Sequence, residues 1–109
     1  MTGARLNRLL ISTASLFLIA AGTVRAEDKS PATYRQKCAA CHGPDGKAHT
    51  AAGKNMGVKS FGDSAVAKMT DAELSAAIDK GKGKMPPYGK SMSADDIKSM
   101  VAYIRTLGK

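Results

Sequence analysis

Apolar residues are spaced in different ways along the 109 positions of this chain. From Leu9 to about Gly22 they form a nearly continuous run. Further on they recur as Leu74, Ala77 and Ile78, and again as Ile97, Met100, Val101, Ile104 and Leu107. Those are the three- and four-residue steps of one helix face. Start signals precede both stripes. Thr70-Asp71-Ala72-Glu73 forms a capping box, and Ser93-Ala94-Asp95-Asp96 caps the last segment, so helices are predicted from there to near Gly81 and to Gly108. Ser30 before Pro31 reads as an N-cap followed by a first-turn proline, which starts another helix running to about Ala40. No segment alternates with the two-residue period of a strand, and no internal repeat occurs. The predicted fold class is all-α.

Two segments fall outside these helices. Residues 43–68 hold Gly43, Gly46, Gly53, Gly57 and Gly62, a loop long enough to suggest wrapping around something rather than joining two neighbours. Residues 80–93, "KGKGKMPPYGKSMS", are kept out of helix by Pro86, Pro87 and three glycines, and form a stiff loop.

The first apolar run has a different meaning. Arg5 and Arg8 precede it, no acid lies before Glu27, and Val24-Arg25-Ala26 places small residues at the positions a signal peptidase reads. The run is shorter than the roughly 18 to 20 apolar residues of a spanning helix. Residues 1–26 are therefore expected to be a cleaved signal peptide, with residues 27–109 a single domain delivered to the periplasm and not inserted in the membrane. Cleavage removes Arg5, Arg8 and Arg25, so the net charge of +8 falls by three and the domain stays moderately basic. A domain this small, with no Trp and only four Tyr and Phe, buries a limited core, so something besides side chains is expected to complete it.

Both cysteines lie in "KCAACHG", at Cys38 and Cys41, with His42 directly after. A disulfide between them would close only a tiny loop. A thioredoxin-like site would need strands, and a structural zinc site needs four ligands where only His49 remains to be added. Cys-x-x-Cys-His instead reads as an attachment site for haem c. Cysteines at i and i+3 share one face of a helical turn and can each form a thioether, while His42 becomes an axial ligand of the iron.

The other axial position suits a methionine sulfur. Met69 and Met92 sit beside helix caps, Met100 lies on the last apolar stripe, and Met56 lies in the first glycine-rich loop. Met85 differs: Gly83 lets the backbone approach closely and Pro86-Pro87 stiffens the segment. Met85 is the expected ligand, with His49 and Met56 as the alternatives.

Taken together, "YRQKCAACHG", "GKMPPYG" and "SADDIKSMVAYIRTL" closely resemble the first helix, methionine loop and terminal helix of the small single-haem class I cytochromes c, over essentially all of residues 27–109. The resemblance implies three to four helices wrapped around one covalent haem c. It implies Tyr34 and Tyr103 as the aromatics where the first and last helices cross. Two positions depart from the family: Ser30 stands where it usually has Gly, and Ala51 near where it often has a Pro whose carbonyl orients the axial histidine.

The resemblance further implies a monomeric, non-enzymatic one-electron carrier, moving electrons from a membrane-bound or soluble donor to an oxidase, reductase or reaction centre, with no nucleic-acid partner. The alternative is a haem accessory subunit or gas-binding sensor whose sixth ligand is displaceable. Lys80, Lys82, Lys84 and Lys90 flank the Met85 loop, and Lys37 and Lys47 flank the cysteine motif. They are expected to steer partners that carry acidic docking surfaces.

Overall fold

The computed structural model describes Gly22 and residues 27–109. The expected signal peptide, Gly22 apart, lies outside the described residues. Among the described residues six helical segments follow one another: α1 (Ser30–Lys37), α2 (Ala39–His42), α3 (Ala51–Met56), α4 (Ser64–Ala67), α5 (Asp71–Lys80) and α6 (Ala94–Ile104). Among the described residues there is no strand, only an isolated bridge between Lys82 and Met85.

The two capped helices form where their signals place them. The Thr70 hydroxyl accepts from the Glu73 N–H at 3.2 Å, and the Glu73 carboxylate accepts from the Thr70 N–H at 2.7 Å. Ser93 and Asp96 repeat this reciprocal arrangement at 3.1 and 3.2 Å. Each pair satisfies two N–H groups that a bare helix start leaves without partners. α6 ends at Ile104 rather than at Gly108. Its last turn tightens instead, with Thr106 N–H donating to the Tyr103 carbonyl and Leu107 N–H to that of Ile104.

The first helix differs from expectation at both ends. Ser30 is not its cap but its first residue, and Lys29 at the cap position makes no side-chain bond. The Asp28 carboxylate accepts from the Ser30 N–H at 2.9 Å, so the cap is supplied from two residues upstream. At the other end helix does not stop near Ala40 but bends at Cys38 and continues to His42. The hydrogen-bond ladder survives the bend, since Cys38 N–H donates to Tyr34 and His42 N–H to Cys38, both at 2.9 Å.

The expected long loop contains two short helices, each started by a side chain: Thr50 accepts from the Gly53 N–H and Asp63 from the Ala65 N–H. α1 and α5 both pack on α6, and α3 packs on α2. Ile97, Met100, Val101 and Ile104 of α6 meet Leu74 and Ile78 of α5, Tyr34 of α1 and Met92 in the core. Ser30 of α1 is buried, and α1 packs on α6 with serine at that position. Tyr34 and Tyr103 meet there edge to face, centroids 5.5 Å apart.

Candidate functional site

The short α2 carries Cys41 and His42, and a short helix ends with carbonyls that have no partner further along the chain. Here three successive carbonyls are taken up from outside the helix. The Thr50 hydroxyl donates to the carbonyl of Cys41 at 3.2 Å, the Ala48 N–H to that of His42 at 2.8 Å, and the Tyr34 hydroxyl to that of Gly43 at 2.6 Å. Gly53 brings α3 against this same turn, and a Cβ at that position would collide with the Cys41 and Ala48 carbonyl oxygens. The backbone around the cysteine motif is thus held from three sides.

The two cysteines are not linked to each other, and both are half-buried. Burial raises the pKa of Cys38, against the opposing pull of Lys37. The His42 pKa is lowered by burial, so the imidazole is neutral, the form in which it binds metals. Its Nδ1 is buried with no hydrogen-bond partner among the described residues, which leaves Nε2 as the nitrogen open to a ligand. The ring stacks on Phe61, centroids 4.8 Å apart and planes 16° from parallel. Among the described residues, no carbonyl therefore takes the place of the family's usual acceptor near Ala51.

Met85 comes to the site on a loop anchored to α5. Gly81 opens this loop at φ +75°, where a Cβ would lie 2.6 Å from the Met85 carbonyl oxygen. Met85 N–H donates to Lys82 at 3.0 Å and Lys82 N–H to Met85 at 3.2 Å, closing a tight turn over Gly83 and Lys84. Tyr88 N–H then donates to the Ile78 carbonyl at 2.8 Å and Gly89 N–H to that of Asp79 at 3.0 Å. The loop thus uses up carbonyls that the end of α5 exposes.

Cys38, Cys41, His42 and Met85 all line a single cleft of about 510 Å³. Its apolar wall includes Met56, Ile78, Pro86 and Ile104, and Met69 and Met100 also reach it. Neither Met92, which is buried in the core, nor His49, which is exposed, lines the cleft. Lys37, Lys59, Lys82 and Lys84 lie at its edge. Lys47, Lys80 and Lys90 do not line it, and Lys59 was not singled out by the spacing of lysines around the motifs.

This donor set fits haem c. Two cysteine sulfurs three residues apart, a neutral imidazole and a thioether sulfur share one mostly apolar cleft. Among the described residues, no group of three or more His, Cys, Asp and Glu side chains could hold a bare metal ion.

A protein-family model described as cytochrome C oxidase, cbb3-type, subunit III matches residues 25–104. The chain is 33% identical over 96 residues to the Cbb3-type cytochrome c oxidase subunit FixP of Azorhizobium caulinodans. That match covers 86% of this chain but only 31% of the relative, so the chain spans about a third of FixP's length. Among solved structures it is similar to the KustC0563 c-type cytochrome, with a TM-score of 0.67 at 29% identity, covering 73% of this chain and 98% of the other. A mutant of KustC0563 matches with a TM-score of 0.64 at 28% identity, over 71% of this chain and 95% of the other.

Proposed function

Because the chain belongs to the cbb3-type oxidase subunit III family of c-type cytochromes, with the small class I cytochrome c fold and covalently bound haem c, we propose that it is a one-electron carrier rather than an enzyme. Cys38 and Cys41 would hold the haem through thioethers, and His42 Nε2 and the Met85 sulfur would bind its iron. When bound, the haem supplies the chemistry, its iron gaining and losing one electron between Fe(III) and Fe(II).

The protein's part is to position these groups and tune them. His42 offers its ring in the neutral form, fixed by the three-sided backbone cradle and by Phe61. Met85 offers a neutral, soft sulfur that favours the reduced state, and the apolar wall keeps water from the site, which acts in the same direction. Lys37, Lys59, Lys82 and Lys84 place positive charge at the cleft edge, where electrons enter and leave. They suit partners with acidic docking surfaces.

We read the carrier as a single-haem monomer exported to the periplasm by residues 1–26. No helix among the described residues is long and apolar enough to cross a membrane. FixP is a subunit of a cbb3-type oxidase, which supports a terminal oxidase as the electron acceptor, ahead of a reductase or reaction centre. The observation that carries the reading is the convergence of Cys38, Cys41, His42 and Met85 on one cleft. A reduced-minus-oxidised spectrum of the periplasmic protein tests it. Sharp c-type bands, with no spectral change when CO is added to the reduced form, are expected of a carrier. CO binding by the wild-type protein would favour a gas-binding sensor.

A further inference from the structure

The Met85 loop is tied to the rest of the protein very unevenly. On one side, two backbone bonds join it to the end of α5, from Tyr88 N–H to Ile78 and from Gly89 N–H to Asp79. Toward the cysteine motif the structure gives one hydrogen bond: the Tyr88 hydroxyl donates to the Lys37 carbonyl at 2.9 Å, across 51 positions of sequence. Lys37 directly precedes Cys38, and its Nζ lies 5.9 Å from the centre of the Tyr88 ring. Tyr88 and Lys37 both line the cleft that Met85 and His42 share.

We propose that the Tyr88 hydroxyl is a latch, a positioning residue that joins the methionine loop to the cysteine-bearing turn and holds Met85 in its ligating position. The inference rests on the reading of Met85 as an iron ligand. Its logic is one of competing states. With the loop closed, the sulfur occupies the sixth position; with the loop swung away on its α5 anchors, that position is open to an outside ligand. A bond made only in the closed state lowers the apparent affinity of any competitor by the factor that bond contributes to the closed population. For a single, partly solvated hydrogen bond that factor is about two- to tenfold.

Titration of the oxidised holoprotein with imidazole, which must displace the sulfur to bind, reads this factor directly. Tyr88→Phe keeps the ring, and with it the contact to Lys37 Nζ, and removes only the hydroxyl. It should bind imidazole about two- to tenfold more tightly than wild type while keeping the far-red thioether-to-iron charge-transfer band in the absence of imidazole. Val101→Ala, at a buried position that does not line the cleft, should lower stability and leave imidazole affinity unchanged. Equal imidazole affinity in Tyr88→Phe and wild type, with the band present in both, overturns the latch and leaves Met85 ligation standing. A tighter affinity in Val101→Ala of the same size overturns it too, since general destabilisation would then explain the effect. Absence of the band from the wild-type protein removes Met85 as ligand and the latch with it.

Discussion

The imidazole of His42 lies face to face with the ring of Phe61, and its buried Nδ1 has no hydrogen-bond partner among the described residues. An axial histidine is ordinarily oriented by the bond its second nitrogen donates. Here the orientation comes from a flat apolar ring and from the backbone bonds around Cys41, His42 and Gly43.

Phe61→Leu should therefore affect the imidazole as well as the packing. Loss of the stacked pair, added to an imperfect change of shape, should cost about 1 to 3 kcal/mol in chemical denaturation. The paramagnetic resonance spectrum of the oxidised protein should change as the ring plane becomes freer, while Phe61→Tyr should stay close to wild type. An unaltered spectrum in Phe61→Leu would show that the backbone alone orients His42.

Tyr34 links the first helix to the residue after His42 through a buried 2.6 Å bond. Tyr34→Phe leaves the Gly43 carbonyl with the Gly46 N–H alone, at 3.1 Å, and should cost about 0.5 to 1.5 kcal/mol. Burial raises the Tyr34 pKa well above the usual tyrosine value of about 10. The folded state thus favours the neutral phenol. Its contribution is fully present below about pH 10 and is lost as the pH climbs through the higher folded value. Wild type should lose stability in that alkaline window more steeply than Tyr34→Phe. Parallel pH profiles of the two proteins would contradict the assignment.

Met85→Ala should leave the haem attached but abolish the thioether-to-iron band, open the iron to CO and lower the reduction potential, since solvent at the iron favours Fe(III). The same change at Met56, Met69, Met92 or Met100 should keep the band. For the buried Met92 and Met100 the cost should be packing alone, on the order of 2 to 5 kcal/mol. Retention of the band in Met85→Ala, with its loss in one of the others, would move the ligand elsewhere in the cleft.

Lys37, Lys59, Lys82 and Lys84 at the cleft edge should make electron transfer to an acidic partner salt-dependent. At low ionic strength, Lys82→Glu combined with Lys84→Glu should slow association on the order of tenfold, and added salt should shrink the difference. Rates indifferent to both salt and charge reversal would point to a docking face away from the cleft.

The parts of the molecule set by local chemistry could be read from the chain. Thr70 with Glu73 and Ser93 with Asp96 start helices because each pair satisfies its own N–H groups, and Ile97, Met100, Val101 and Ile104 share a face by spacing alone. The Cys-x-x-Cys-His run carries its chemistry within five positions. α3 and α4 were legible too, in Thr50 three residues before Gly53 and in Asp63 before Ala65, but glycines in the same segment obscured them. What the chain does not disclose are contacts between distant residues: Phe61 against His42, Tyr88 against Lys37, Lys59 and Met69 at the cleft. Nothing in the immediate neighbourhood of Phe61 distinguishes a ring that stacks on an imidazole from one that fills a core. The N-terminal cap likewise misled, because Asp28 and Ser30 are both good capping residues and only the fold decides between them.

Attachment of haem through Cys38 and Cys41 is the claim on which the rest depends, and acid-acetone extraction of the denatured holoprotein tests it most directly. Covalent thioethers should keep the colour with the polypeptide, with an intact mass above that of the processed chain by one haem, and changing both cysteines to serine should release it. Haem passing wholly into the solvent layer from the wild-type protein, with the chain recovered at its bare mass, would contradict the account.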